Sequence, residues 1–240
     1  MNFFKPTLLF LLAILLCNCA SYKAKKQEAL LDLPQLGTVI KTKGGVLYSA
    51  AEQVGIPNWQ NVKVDVQELP FNLESYVTYA KHMRRAGKIN TIPYNDSLRY
   101  KPKYIRLQLQ SKIELTQLLN SEENRETRAY ISLDKDHKLV SAIDIALTEN
   151  EIAMYNAAKG THLAKDKLGN LIVVLNSDNQ KQQILLKDLP SFNYQISSFC
   201  WGEDKYHNPR IENIITNGDG CPKTTYLKAS KLKSKSTLKF

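Results

Sequence analysis

The chain has 240 residues and a formal net charge of +10, from 33 basic and 23 acidic residues. The excess of positive charge lies in two short arms, with three lysines at 23–26 and six at 223–240. Apart from Lys5, the other 23 basic residues lie between 27 and 222, together with all 23 acidic residues. Because the body is neutral overall, its charge does not imply a basic face on a folded module, and we predict no nucleic acid partner.

The amino terminus has the layout of a secretory signal. Lys5 precedes an apolar run from Leu8 to Leu16. This run is shorter than the ~20 apolar residues that a membrane-spanning helix needs. Ordinary signal cleavage before Ser21 would place Asn18 at the −3 position, where small residues are preferred.

The export signal ends in Leu16-Cys17-Asn18-Cys19, which resembles the lipobox of bacterial lipoproteins, and the chain resembles uncharacterised lipoproteins of flavobacteria and other Bacteroidota. The resemblance implies that residues 1–18 are removed and that Cys19 carries the acyl chains. The residues that follow, 19–35, are expected to be a tether. Cys17 as the anchor would place Leu16 at −1, a poorer match. The expected location is the outer membrane, facing the periplasm.

The four cysteines support the same assignment. If Cys17 leaves with the signal and Cys19 is acylated, Cys200 and Cys221 remain as one pair. An oxidising envelope joins such a pair, so we predict a Cys200–Cys221 disulfide.

The segment 36–87 is predicted to be a small α+β region that precedes a linker at 88–103. Ser49-x-x-Glu52 is a capping box, which predicts a short helix over 50–54. A second helix is expected over 72–87, with Leu73, Tyr76 and Val77 on its apolar stripe. The segment 88–103 is polar and contains two prolines, which is typical of a linker.

The segment 104–222 is predicted to be an α+β domain. Strands are expected at 104–110, 128–133, 139–147, 161–165, 171–176 and 192–201, with a further one at 182–187. Capping boxes at Ser111-x-x-Glu114 and Thr148-x-x-Glu151 predict two helices between them. The resulting order over 104–176 is that of a ferredoxin-like β-α-β-β-α-β unit. The fold class predicted for the chain is α+β, with a mostly antiparallel sheet and a few packed helices.

The last segment, 223–240, contains six lysines and no acidic residue. Such a composition predicts a basic disordered tail. An alternative is a weak amphipathic helix that forms on an anionic membrane surface.

The densest group of reactive residue types lies at 199–210. Cys200 and His207 could form a nucleophile and its base, with an acidic residue to orient the imidazole, but a cysteine with an available partner in an oxidising compartment is normally a cystine. The other histidines are scattered, and the chain has no Cys-x-x-Cys or His-Glu-x-x-His motif. We therefore predict no catalytic residue, no metal ligand and no cofactor.

Together these patterns predict an envelope lipoprotein with a non-catalytic binding, assembly or scaffolding role. Its partners would be the membrane, through the lipid anchor, and an envelope protein. The alternative is a periplasmic hydrolase that acts on cell-wall or surface polymers. A pair of carboxylates in an open cleft would favour the hydrolase.

Overall fold

The computed structural model describes residues 33–43, 50–97, 99–178 and 180–232. The strands are β1 (Val39–Lys43), β2 (Ala50–Gly55), β3 (Val62–Pro70), β4 (Lys103–Leu109), β5 (His137–Ile145), β6 (Gly160–Lys165), β7 (Leu171–Asn176), β8 (Lys181–Leu185), β9 (Ser191–Glu203) and β10 (Pro209–Thr216). The helices in the described ranges are α1 (Leu73–Arg85), α2 (Lys112–Asn120), α3 (Arg125–Ile131) and α4 (Glu149–Asn156), with single 3₁₀ turns at Glu122–Asn124 and Leu186–Asp188. The predicted α+β class with a mostly antiparallel sheet is confirmed.

The ten strands form one sheet whose paired neighbours run antiparallel. Its main path has the order β10-β9-β5-β4-β3-β6-β7-β8, and β1 joins it by pairing with β5 and β2. Strand β3 pairs with β4 over seven residue pairs and with β6 at one end of its other edge. The two regions expected at 36–87 and 104–222 therefore share one sheet, because β3 lies between strands of the second region.

The apolar core lies against this sheet and includes the residues that the sequence placed inward on β4. Ile105, Leu107 and Leu109 are all buried. They belong to one large cluster with side chains of β5, β6, β7, β9 and β10. The alternation of period two seen in the sequence is therefore the real burial pattern of this strand.

The helix predicted over 72–87 is confirmed as α1, but its predicted apolar stripe is only partly right, since Tyr76 packs against the aromatic cluster and Leu73 and Val77 do not. Asn72 caps its start, with its side chain accepting a hydrogen bond from Ser75 N at 2.8 Å. Tyr79 is the buried residue of the helix, whereas Leu73 is 61% exposed and Val77 39% exposed. The cause is the aromatic cluster beneath α1, which accepts Tyr79.

The two other helix starts predicted from capping boxes between 104 and 176 are also confirmed. The Ser111 side chain accepts a hydrogen bond from Glu114 N at the start of α2. Thr148 and Glu151 form a complete capping box at the start of α4. These motifs act locally, so the sequence was sufficient to find them.

Two short segments have the opposite secondary structure to the prediction. Residues 50–54 belong to strand β2 rather than a helix, because β2 pairs with β1 over five residue pairs. Residues 128–131 belong to helix α3 rather than a strand. Ile131 is buried there while Tyr130 and Leu133 are exposed, so the run has no alternating face. The ferredoxin-like unit is not confirmed, since the segment expected as its second strand is helical.

The segment expected as a linker packs against the body. Ile92 and Tyr94 contact a second apolar cluster of Phe71, Tyr79, Tyr104 and Phe192. Tyr94 stacks on Tyr76 of α1 with ring centroids 4.5 Å apart. Because these contacts fix the path of the segment, it forms one wall of a cleft and does not separate two domains.

The first part of the expected tail, 223–232, is also part of the fold. Tyr226 exchanges two backbone hydrogen bonds with Trp201 of β9, at 2.8 and 2.9 Å. Ala229 and Leu232 are each only 5% exposed and belong to the large core cluster. The prediction of a tail disordered from 223 onward is therefore wrong for these residues, because burial of two apolar side chains outweighs the local lysine content. Residues 233–240 lie outside the described ranges.

Candidate functional site

A cleft of about 680 Å³ opens beside the carboxyl end of β3. Three parts of the chain form its walls: the segment between α1 and β4, the turn between β5 and α4, and α4 itself. Its lining residues are Glu68, Tyr79, Thr91, Ile92, Pro93, Tyr100, Lys101, Pro102, Lys103, Ala146, Leu147, Thr148, Glu149, Glu151, Ile152, Ala153 and Asn156. Its volume lies within the ~300–1,000 Å³ typical of ligand sites, and a mostly apolar lining with a few polar groups is also typical.

Glu68 holds two walls of the cleft together. Its carboxylate accepts hydrogen bonds from Lys103 Nζ on β4 and from Asn156 Nδ2 at the end of α4. These bonds hold the pKa of Glu68 below its usual value, and the bond from Lys103 has the larger effect. Glu68 is therefore a carboxylate at neutral pH, and it joins a sheet strand to a helix 88 residues away in sequence.

Glu151 lies in the first turn of α4 and also lines the cleft. Its Oε2 accepts hydrogen bonds from Thr148 N at 2.8 Å and from Thr148 Oγ1 at 2.7 Å. The pKa of Glu151 is lowered by these bonds to Thr148. The carboxylate satisfies a helix-start amide, which is a structural role.

The outer wall is fixed by polar contacts within the segment between α1 and β4. Asp96 accepts a hydrogen bond from Lys101 Nζ at 2.7 Å and another from Tyr94 Oη at 2.9 Å. The pKa of Asp96 is lowered, mainly by the Lys101 bond. Tyr100 stands next to this pair and is 82% exposed, so its ring is available at the rim of the cleft.

Two carboxylates of the cleft, those of Glu68 and Glu151, do not have the raised pKa that a general acid needs. A glycosidase general acid needs a carboxyl whose pKa is raised so that it keeps its proton near neutral pH. Glu68 and Glu151 both have lowered pKa values, and both are bonded to structural partners. Glu149 is the third carboxylate in the lining, and it stands at the first turn of α4.

The predicted disulfide is present, and it removes the nucleophile considered for the segment 199–210. Cys200 is bonded to Cys221, with their Cα atoms 5.7 Å apart, and Cys200 is fully buried. His207 Nδ1 lies 2.9 Å from Glu203 Oε2, and the imidazole is on the surface. With its sulfur in a cystine, Cys200 has no thiolate that His207 could activate. Cys19, the predicted lipidation site, lies outside the described residues.

A buried ion pair crosses three central strands and was not foreseen from the sequence. Arg106 of β4 donates to both oxygens of Asp144 on β5, with Nε to Oδ1 at 2.7 Å and Nη2 to Oδ2 at 3.0 Å. Asn193 of β9 donates to the same Oδ2 at 2.9 Å. The Asp144 side chain is only 2% exposed. This network fixes the register of β4, β5 and β9 next to the aromatic cluster.

Sequence reasoning also missed Glu68, because it did not recognise β3 as a strand. The signal was present in the alternation Val62-x-Val64-x-Val66, which is typical of a strand with one buried face. The pairing of Glu68 with Lys103 and Asn156 was not accessible, since it depends on how β3, β4 and α4 meet.

Neither a metal-ligand cluster nor a membrane-spanning helix occurs in the described ranges. No group of three or more His, Cys, Asp or Glu residues among them is placed to hold a metal ion. None of their helices is both long enough and apolar enough to cross a bilayer.

Comparison of the chain with protein-family models, curated proteins and solved structures finds no match.

Proposed function

We propose that this chain is a lipid-anchored protein of the bacterial envelope that binds an extended segment of an envelope protein partner without catalysing a reaction. The lipobox-like sequence at 16–19 supports the anchor at Cys19 and the outer-membrane location facing the periplasm. The Cys200–Cys221 disulfide supports export, because disulfides persist in oxidising compartments.

The single observation that carries the binding role is the cleft of about 680 Å³. Tyr100, Pro93 and Ile152 give it apolar surface, and Lys101 and Glu149 place charges of both signs at its lining. An extended peptide presents alternating amide donors and acceptors between side chains, which suits a site of this mixed character. The lowered pKa values of Glu68 and Glu151 argue against a hydrolase that uses them as acids.

Site-specific photocrosslinking in cells tests the binding role. A photoreactive phenylalanine at Tyr100, at the rim of the cleft, should give one adduct of defined mass. The same residue at Tyr206, which is also exposed but not part of the cleft lining, is the matched control. Ala153→Arg should abolish the adduct, because Ala153 is exposed within the cleft and the long side chain would fill it. Equal adducts at both positions, or an adduct indifferent to Ala153→Arg, would contradict the proposal.

Metabolic labelling with a fatty acid tests the anchor separately. Label should be lost in Cys19→Ser and kept in Cys17→Ser, since only Cys19 has Leu16 at the −3 position. Label retained in Cys19→Ser would refute lipidation at this residue and leave the cleft result unaffected.

The hydrolase stays as a second candidate because three glutamates line the cleft. It predicts that the full chain releases soluble fragments from purified peptidoglycan or surface polysaccharide, and that Glu149→Gln stops the release. Binding without release supports the non-catalytic role.

A further inference from the structure

A second, smaller cavity lies between α1 and β9, on a different set of residues from the cleft. Its volume is about 200 Å³. Lys81, His82 and Arg85 of α1 line one side, and Asn193 and Tyr194 of β9 line the other. The volume is below the ~300–1,000 Å³ of sites for drug-sized molecules, so it suits one small chemical group.

Basic side chains are concentrated in the described lining of the cavity. None of its described lining residues is an aspartate or glutamate. Within the described ranges, neither Lys81 nor Arg85 forms an ion pair with a carboxylate. The carboxylate of Asp144, which contacts the lining residue Asn193, already accepts hydrogen bonds from Arg106 and Asn193. A bound anion would relieve the mutual repulsion of these cations.

The hydrogen-bonding groups match an oxyanion. Arg85 offers a planar fork of donors and Lys81 offers a flexible ammonium, and both pair well with phosphate oxygens. His82 is partly buried, and its pKa is lowered first by burial and then by Lys88 and Arg85. A neutral imidazole still donates one N–H bond, so His82 adds a donor without a further positive charge.

The position of the cavity relates it to the chain that leads toward the amino terminus. Leu33, the first described residue, is part of its lining. Cys19 precedes Leu33 by 14 residues, which reach at most about 50 Å when fully extended. If Cys19 carries the acyl chains, the cavity therefore stays close to the membrane surface.

We infer that this cavity binds a phosphate group, held by Lys81, His82 and Arg85. The group belongs either to the phosphodiester headgroup of an anionic lipid or to a free phosphomonoester. The inference does not depend on the binding role of the cleft.

Calorimetric titration of the full chain in non-ionic detergent, at constant ionic strength, tests the site with two probes. Glycerophosphoglycerol represents the headgroup of phosphatidylglycerol, and inorganic phosphate represents the free anion. The variant Lys81→Gln/Arg85→Gln should bind the preferred probe at least about tenfold more weakly, because two charge-assisted hydrogen bonds are lost.

The matched control is Arg84→Gln/Lys88→Gln, which removes the same charge beside the cavity from residues outside its lining. It should keep most of the affinity. Preference for glycerophosphoglycerol identifies the lipid headgroup as the ligand, and preference for inorganic phosphate identifies a free phosphate. The inference is overturned if neither probe binds, or if both double variants weaken binding equally, since that result would show only general charge attraction. Thermal unfolding of both variants verifies that they are folded.

Discussion

The substitution Leu232→Ala tests whether the carboxyl-terminal segment is part of the fold. Leu232 lies in the lysine-rich segment 223–240 that the composition assigns to a disordered tail, yet its side chain is 5% exposed and lies in the main core. If the segment is packed as described, shortening this side chain removes buried apolar contacts. If the segment were disordered, the same change would have no effect on stability.

The expected cost follows from the burial of the side chain. Leu→Ala removes the equivalent of three buried carbon groups, at ~0.8 kcal/mol each, and leaves a cavity that adds to the loss. We expect the free energy of unfolding to fall by about 3 kcal/mol, within the ~2–5 kcal/mol typical of such changes. For a domain of this size that corresponds to a fall in Tm of roughly 6–12 °C.

The measurement is urea and thermal unfolding of the full chain followed by circular dichroism. Leu227→Ala is the matched control, because Leu227 lies in the same segment and is 38% exposed. It should change the free energy of unfolding by less than ~1 kcal/mol. Equal small effects of both substitutions would refute the packing of this segment and restore the prediction of a disordered tail.

Three further predictions concern the body of the protein. Asp144→Asn should lower the free energy of unfolding in chemical denaturation by about 3–5 kcal/mol, because it leaves the partly buried Arg106 guanidinium without its counter-charge. Replacing both residues with apolar ones should restore most of this loss. Similar losses in the single and double variants would argue against this explanation. Replacing Cys200 and Cys221 with alanine opens a loop of 21 residues and should lower the free energy of unfolding by about 3 kcal/mol. An unchanged denaturation midpoint would show that the bridge does not restrain the unfolded chain. The pKa of Glu68 is lowered in the folded protein, so its bonds stabilise the fold above the pKa of this carboxyl in the unfolded chain, about 4.3. This stability is lost as the pH falls through the folded pKa, so Glu68→Gln should lower Tm at pH 7 and not at about pH 3. A fall in Tm that is independent of pH would point to lost packing instead.

Local motifs were read correctly from the sequence where the interaction that they encode is itself local. The Thr148 capping box joins residues three positions apart, and α4 begins where it predicts. The inward face of β4 followed from alternation alone. Ser49-x-x-Glu52 carries the same capping signature, but the residues after it pair with β1 instead, so a tertiary contact overrode the local preference. Ser49 itself lies outside the described residues.

The Cys200–Cys221 bridge was predictable for a different reason. Only four cysteines are present, and the lipobox-like segment accounts for two of them, so counting alone left one pair. No such constraint existed for the cleft or for the Arg106–Asp144 network, since charged residues are numerous and each has many possible partners.

The sequence by itself determined the fold class, the starts of three helices, the inward face of β4, the neutral charge of the body and the pairing of its cysteines. Each depends on residues close in sequence or on a count that allows one answer. The tertiary structure alone decided that Tyr79 rather than Val77 faces inward on α1, that Ala229 and Leu232 join the core, and that Glu68 meets Asn156 across 88 residues. These outcomes depend on which surfaces are left to cover once the sheet has formed, and local propensity carries no information about that.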